Sequence, residues 1–256
     1  MNFDVSFNHC DHSLTRLLVW ARFKITLPAT IWRRGDTVRV GANMLRVTEI
    51  FRSIQGESTH AGRPCSFIRL TGCPMRCVWC DSAYTFTGGQ HESIEAILDQ
   101  VRKFGCNLVE ITGGEPLAQD ETFTLIERLA DEGYEVLVET GGYFSTDRVD
   151  PRAKIILDVK CPASGEADRN HWPNLSRLRP GKDEVKFVIA NEEDWMYALK
   201  IIEQHRLDER STVLISPAWD QVDLQALANW VSSSGLNIRM QLQLHKYVWG
   251  PEARAV

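Results

Sequence analysis

No stretch of about 18 uninterrupted apolar residues occurs in the 256-residue sequence, so a membrane-spanning helix is not expected. A basic excess is missing as well: the net charge of −5 argues against a general nucleic-acid binder held by phosphate contacts. The seven cysteines are an odd number, which excludes a fully paired disulfide framework. A secretory start is not expected, because Asp4 precedes any basic residue and Leu17–Trp20 is too short an apolar run. Repeats and low-complexity linkers are also absent. What is present is an apolar share of 43% and a charged share of 25%, the balance of an ordinary globular domain with room for a substantial core. Three cysteines fall within eight residues, which suits metal-binding thiolates in a reducing compartment, and the protein reads as cytoplasmic.

The first 43 residues differ from the remainder. Six Lys/Arg against Asp4, Asp11 and Asp36 give them +3, so that the rest of the chain carries −8 of the total of −5. Residues 1–43 read as a mobile N-terminal extension or an overlong start, with a family-specific appendage as the alternative. Residues 44–256 read as the functional domain. From Leu45 onward, short β-rich runs alternate with helical patterns. Strands are predicted near 45–51, 65–70, 107–112, 134–138, 154–159, 184–189, 212–216 and 237–242. Helices are predicted near 92–103, 120–132, 192–205 and 220–233. Such alternation indicates parallel βα units, but the count is too small for a closed eight-unit barrel of about 250 residues. The fold class expected is therefore α/β, a partial, incomplete parallel βα barrel, with functional residues just after the strands.

Cys73, Cys77 and Cys80 form a C-x3-C-x2-C loop. Three thiolates can bind three irons of a [4Fe–4S] cubane, whose protein ligation is usually four cysteines, and one iron is left open for an amine and a carboxylate. A zinc site completed elsewhere is the structural alternative, although zinc prefers paired C-x2–4-C spacing. Ser82, beside Asp81, offers oxygen suited to Mg²⁺, or caps the next element. Gly113-Gly114-Glu115-Pro116 follows a strand, where glycines let backbone approach a ligand closely. Ile54-Gln55-Gly56-Glu57 supplies donors and acceptors for the amide-like edge of a heterocycle, or is a polar turn. Arg69 is either a strand-surface charge or a fork for a carboxylate. Glu139, Asp158, Lys160 and His245 sit at or after strand ends, with solvated charges as the bland reading. Cys65 and Cys106 read as core residues, and Cys161 carries no ligand-like spacing.

Taken together, the cysteine loop and the Gly113–Pro116 turn resemble the radical S-adenosylmethionine (SAM) superfamily. Within it, Ile54–Glu57, Arg69–Cys73, Cys77–Ser82 and Leu244–Arg254 resemble the 7-carboxy-7-deazaguanine synthase family, which makes the deazapurine ring of queuosine precursors. The resemblance runs from about Met44 to the C-terminus. It implies a radical SAM type of partial barrel in which Cys73, Cys77 and Cys80 hold the cluster and SAM chelates its open iron. Trp79, Cys80, Asp81, Gly114, Asp158 and Lys160 are then expected near SAM, and Ser82 takes the place of an Mg²⁺-ligating hydroxyl. Ile54, Gln55, Gly56, Glu57, Arg69 and Thr112 would contact 6-carboxy-5,6,7,8-tetrahydropterin. Glu139 and His245 match positions close to that substrate and are the candidate catalytic residues. An electron donor such as flavodoxin or ferredoxin and a homodimer are also implied. Some relatives end near Pro251, whereas this chain continues through Glu252–Val256, so a free carboxylate cannot sit at Pro251. Two other readings stand beside this one: a glycyl-radical-enzyme activase using the same cluster and SAM, and a zinc-stabilised binding protein without catalysis.

Overall fold

Residues 41–256 are described in the computed structural model, and residues 1–40, with Cys10 and most of the segment read as an extension, lie outside them. The first strand, β1 (Met44–Ile54), pairs antiparallel with both β2 (Pro64–Leu70) and β3 (Gln90–Ser93). From β2 onward the sheet is parallel, through β4 (Leu108–Gly113), β5 (Glu135–Thr140), β6 (Lys154–Val159), β7 (Glu184–Ile189), β8 (Thr212–Pro217) and β9 (Ile238–Met240). The order β3-β1-β2-β4-β5-β6-β7-β8-β9 leaves two separate edges, so the barrel is open, as expected. The antiparallel start was not expected. Residues 55–63 between β1 and β2 are too few for the crossover that a parallel pair needs.

The helices are α1 (Ile94–Phe104), α2 (Glu121–Asp131), α3 (Pro173–Arg177), α4 (Glu192–His205), α5 (Leu207–Arg210), α6 (Leu224–Ser233) and α7 (Leu244–Trp249). Caps set several boundaries. Ser93 accepts a hydrogen bond from the Ala96 N–H at 3.2 Å, so α1 starts at Ile94 and the predicted first residues, from Glu92, belong instead to β3. Asp223 accepts from the Ala226 N–H at 2.7 Å, which starts α6 at Leu224 rather than Asp220. The last predicted strand shrinks to Ile238–Met240, and His245 and Lys246 lie on α7.

Period-two alternation sorts the strands into two faces. Val109 and Ile111 of β4, Val136 and Val138 of β5, and Val185 and Phe187 of β7 join the helices in the main core. On the other face, Phe51, Cys65, Phe67, Leu108, Leu137 and Ile156 form a smaller apolar floor. Beyond this floor stand Arg69, Glu110, Thr112, Glu139, Asp158 and Lys186, which line a cavity. The fold thus seals one end of its inner face with apolar side chains and leaves charged ones at the other. Cys65 and Cys106 are buried, and Cys161 packs in the main core. Gly41 and Asn43 are tied to this unit by backbone bonds, Met44 N–H to Gly41 O and Ile94 N–H to Asn43 O, both at 3.0 Å.

Candidate active site

The cysteine loop leaves β2 and is held by its own backbone. The Arg76 guanidinium donates to the carbonyls of Cys73 and Met75 at 2.7 and 2.6 Å and stacks over Phe86, 4.1 Å from the ring centre. The Arg76 N–H donates to Glu166 at 2.7 Å, and the Val78 N–H to Ser164 O at 3.0 Å. These bonds fix three thiols on the rim of one cavity. Burial pushes the Cys73 thiol up to about 12 and raises Cys77, with Lys160 working against the shift in both. Three soft ligands in a tethered loop suit an iron–sulfur cubane, whose binding must displace those protons. The Ser82 hydroxyl lies 3.7 Å from the Cys80 sulfur and 3.5 Å from Gly113 O.

The Gly113–Pro116 turn packs directly against that loop. A Cβ on Gly114 would meet Gly72 O at 2.4 Å and the Cys73 Cβ at 2.9 Å, so only glycine fits. Gly114 N–H donates to Leu70 O at 3.1 Å, and Glu115 N–H to Gly72 O at 2.8 Å. Glu115 itself is fully buried. Its carboxylate accepts from the Leu117 N–H, the Thr140 hydroxyl and the Gly141 N–H at 2.8 to 3.0 Å, joining the ends of β4 and β5. Burial raises its carboxyl above the usual range despite those donors.

Beside the loop lies a network of charges. Lys186, almost fully buried, donates to Glu57 at 3.0 Å and to Glu139, and stands 3.9 Å from Asp158. Lys160 donates to Asp158 at 2.8 Å. The other Asp158 oxygen, Oδ1, is buried without a hydrogen-bond partner among the described residues, an acceptor left open to a donor from a bound molecule. Burial alone would lower the Lys186 ammonium, but Glu139, Glu57 and Asp158 outweigh it and hold it well above its ordinary value. Burial likewise would raise Glu57, and Lys186 with a 2.8 Å hydrogen bond from Gln243 brings it below the ordinary range. Glu110 goes the other way: burial, then Glu139 and Glu57, push its carboxyl well above the usual range although Lys186 and Arg69 oppose the shift. It accepts from the Gln55 carboxamide, whose oxygen in turn accepts from the Glu57 N–H at 3.0 Å. Thr112 donates to Glu139 at 3.4 Å.

From the far edge, α7 closes the ring. Leu244 N–H donates to Gly56 O at 3.0 Å, and Lys246 pairs with Asp81 at 2.7 Å, which brings the Asp81 carboxyl down to about 2 although burial opposes the shift. A Cβ on Gly56 would strike the His245 ring at 2.2 Å. Burial holds the His245 imidazole below its ordinary value, so it is neutral near pH 7.

Every candidate drawn from the sequence, from Ile54 to His245, lines this one cavity. Many sit within the strands rather than after them: Ile54, Arg69, Thr112, Glu139 and Asp158 are strand residues facing inward. Arg69 is partly committed already, its Nε donating to Glu49 at 2.7 Å. Sequence reasoning missed Tyr84, Glu110, Lys186, the Ser216–Trp219 turn, Gln243 and Arg254, all of which line the cavity. Cys161 does not line it, and no helix among the described residues is long and apolar enough to cross a membrane.

The sequence profile of the Radical SAM superfamily matches residues 67–163, the stretch from β2 to just beyond β6. A 7-carboxy-7-deazaguanine synthase of Koribacter versatilis is 45% identical over 227 residues, covering 83% of this chain and all of that protein. The protein of the same name from Chlorobaculum tepidum is 44% identical over 214 residues, covering 83% of this chain and 97% of that one. Among solved structures, QueE from Escherichia coli superposes with a TM-score of 0.66 at 23% identity, over 79% of this chain and 95% of the other. That likeness concerns the fold.

Proposed function

Since the chain belongs to the 7-carboxy-7-deazaguanine synthase family of the radical SAM superfamily, we propose that this cavity binds 6-carboxy-5,6,7,8-tetrahydropterin beside a cluster and SAM. The enzyme is a lyase that forms 7-carboxy-7-deazaguanine with release of ammonia, in the queuosine pathway. The activase and zinc-stabilised readings fall away with the family. The observation that carries the substrate assignment is the sharing of one cavity by three cysteine thiols and a fixed set of hydrogen-bonding side chains: Gln55, Glu57, Glu139 and Lys186.

Cys73, Cys77 and Cys80 would hold the cluster beside SAM. Together these groups would supply hydrogen-abstracting radical chemistry at the substrate. The remaining work belongs to the chain. Asp158, with its unpartnered oxygen, Lys160, Trp79, Asp81 and the Gly114 backbone would seat SAM. Gln55, oriented by Glu110, and Glu57, fixed by Lys186, would grip the pterin edge with Ile54, Gly56 and Thr112 around them. Glu139 and neutral His245 would serve as acceptors for protons at the substrate. The Ser82 hydroxyl would ligate Mg²⁺, and the ion would neutralise carboxylate charge.

Residues 44–256 are taken as the catalytic unit, a flavodoxin or ferredoxin as electron donor, a homodimer as the assembly and the cytoplasm as the location. Alignment with the two relatives covers 83% of this chain and 97–100% of theirs, so a chain starting at Gly41 is expected to keep its turnover. Start at Gly41 rather than Met44 preserves Asn43 O, which accepts from α1. The decisive test is anaerobic assay of reconstituted protein with SAM, reductant, Mg²⁺ and the carboxypterin. Deazapurine formation supports the reading, and SAM cleavage without that product would keep the superfamily and reject the substrate.

A further inference from the structure

Five lysine and arginine side chains line the cavity, and four are already committed to carboxylates of the protein. Arg69 pairs with Glu49 at 2.7 Å, Lys160 with Asp158 at 2.8 Å, Lys186 with Glu57 at 3.0 Å and Lys246 with Asp81 at 2.7 Å. The fifth, Arg254, forms no ion pair among the described residues. Its guanidinium instead lies over the ring of Tyr84, 4.1 Å from the centroid. Stacking on an aromatic face fixes the plane of a guanidinium and leaves its edge N–H groups to donate. That is the geometry of a fork waiting for a planar anion.

The surroundings tell which wall it serves. The Tyr84 hydroxyl donates to Glu49 Oε1 at 2.8 Å, the same oxygen that takes the Arg69 Nε–H at 2.7 Å. Arg254, Tyr84, Glu49 and Arg69 therefore run as one connected file, with a guanidinium at each end, and Arg254, Tyr84 and Arg69 line the cavity. Arg69 spends its Nε–H on Glu49, and Arg254 spends nothing. The segment that delivers Arg254 is seated rather than trailing. Gly250 N–H donates to Lys246 O at 3.0 Å and Ala253 N–H to Gly250 O at 3.3 Å, so α7 carries it to the cavity, and Pro251–Val256 all contribute to the lining.

We propose that Arg254 binds the carboxylate of the substrate, which makes the Pro251–Val256 segment a specificity element of the site. The inference rests on the carboxypterin reading above, since that substrate brings a carboxylate that needs a donor fork. Lys160, Lys186 and Lys246 already answer to carboxylates of the protein and Arg69 gives its Nε–H to Glu49, so Arg254 is the lining cation with no carboxylate partner among the described residues.

The test compares wild-type, Arg254→Ala, Arg254→Lys and a chain ending at Pro251, each reconstituted and checked for iron content. KM and kcat are measured with 6-carboxytetrahydropterin, and binding is measured in parallel for tetrahydropterin lacking the carboxylate. Arg254→Ala is expected to raise KM for the carboxypterin about 10- to 100-fold, the worth of a hydrogen bond to a charged group. Binding of the decarboxylated probe should change less than about twofold, and Arg254→Lys should recover part of the loss. Equal weakening of both pterins, or no change in either, would overturn the assignment. Should wild-type bind the carboxypterin without turning it over, the substrate reading fails on its own, and the binding ratio still decides Arg254.

Discussion

The ammonium of Lys186 faces Glu57, Glu139 and Asp158 within 3.9 Å, with almost no access to water. Removing one partner from a buried ionic set leaves the others uncompensated, at a cost of about 3–5 kcal/mol. Lys186→Met is therefore expected to lower stability by about that amount in denaturant titration. Its second effect is chemical. Without the cation, Glu57 holds its proton more tightly, so the acid limb of kcat/KM moves to higher pH. Lys186→Arg keeps the charge and should shift the limb less. An unmoved acid limb in Lys186→Met would reduce the residue to packing. Lys186 also marks where sequence reading stops. The cysteines are legible because their chemistry requires them close together along the chain. Lys186 meets partners 129 and 47 residues away, and alone in Glu184–Ile189 it reads as a charge on a solvated strand face. Only the inward curvature of the sheet turns that face into a site, and the same holds for Glu110 between Val109 and Ile111.

Among the elements, the contact between the β4 end and the cysteine loop is the tightest constraint on the site. Gly114 approaches Gly72 and Cys73 so closely that a methyl group would overlap backbone, which cannot swing aside as a flexible side chain can. Gly114→Ala is expected to push the loop off its position while the Glu115 bonds to Leu117, Thr140 and Gly141 hold the sheet. Reconstituted variant should then carry well below the about four irons per chain of an intact cubane, with secondary structure by circular dichroism retained. Full iron content would show the loop more yielding than its bonds suggest. The Gly113–Pro116 turn was legible as a functional motif, but Glu115 acts within the protein, as a clasp between strands. Strand order from β2 onward followed from the alternation of strands and helices. The antiparallel β1 did not, because alternation gives element type and leaves direction to loop length, and β3 is too short to stand out from the helix it precedes.

Across the whole molecule, carboxyl groups pull stability in two directions as pH changes. Glu135, held down to about 2 by hydrogen bonds from Arg63 and His60 on the outside of the fold, stabilises above its ordinary 4.5 and loses that contribution as pH falls toward about 2. Glu110 does the reverse. Its folded value lies well above 4.5, mainly through burial, so between the two values the unfolded chain has released a proton that the folded chain retains. Stability contributed by neutral Glu110 is thus complete below 4.5 and falls as pH rises through that window. Glu110→Gln keeps a neutral carboxamide of the same shape beside Gln55 and removes the titration. Under anaerobic calorimetry, wild-type Tm is expected to fall more between about pH 5 and about pH 8 than that of the variant. Parallel curves would mean that Glu110 is already ionised in the folded protein, with Lys186 compensating three glutamates instead of two. In that case the orientation of Gln55 would depend on a charged acceptor, and Glu110→Gln would weaken binding of the pterin as well.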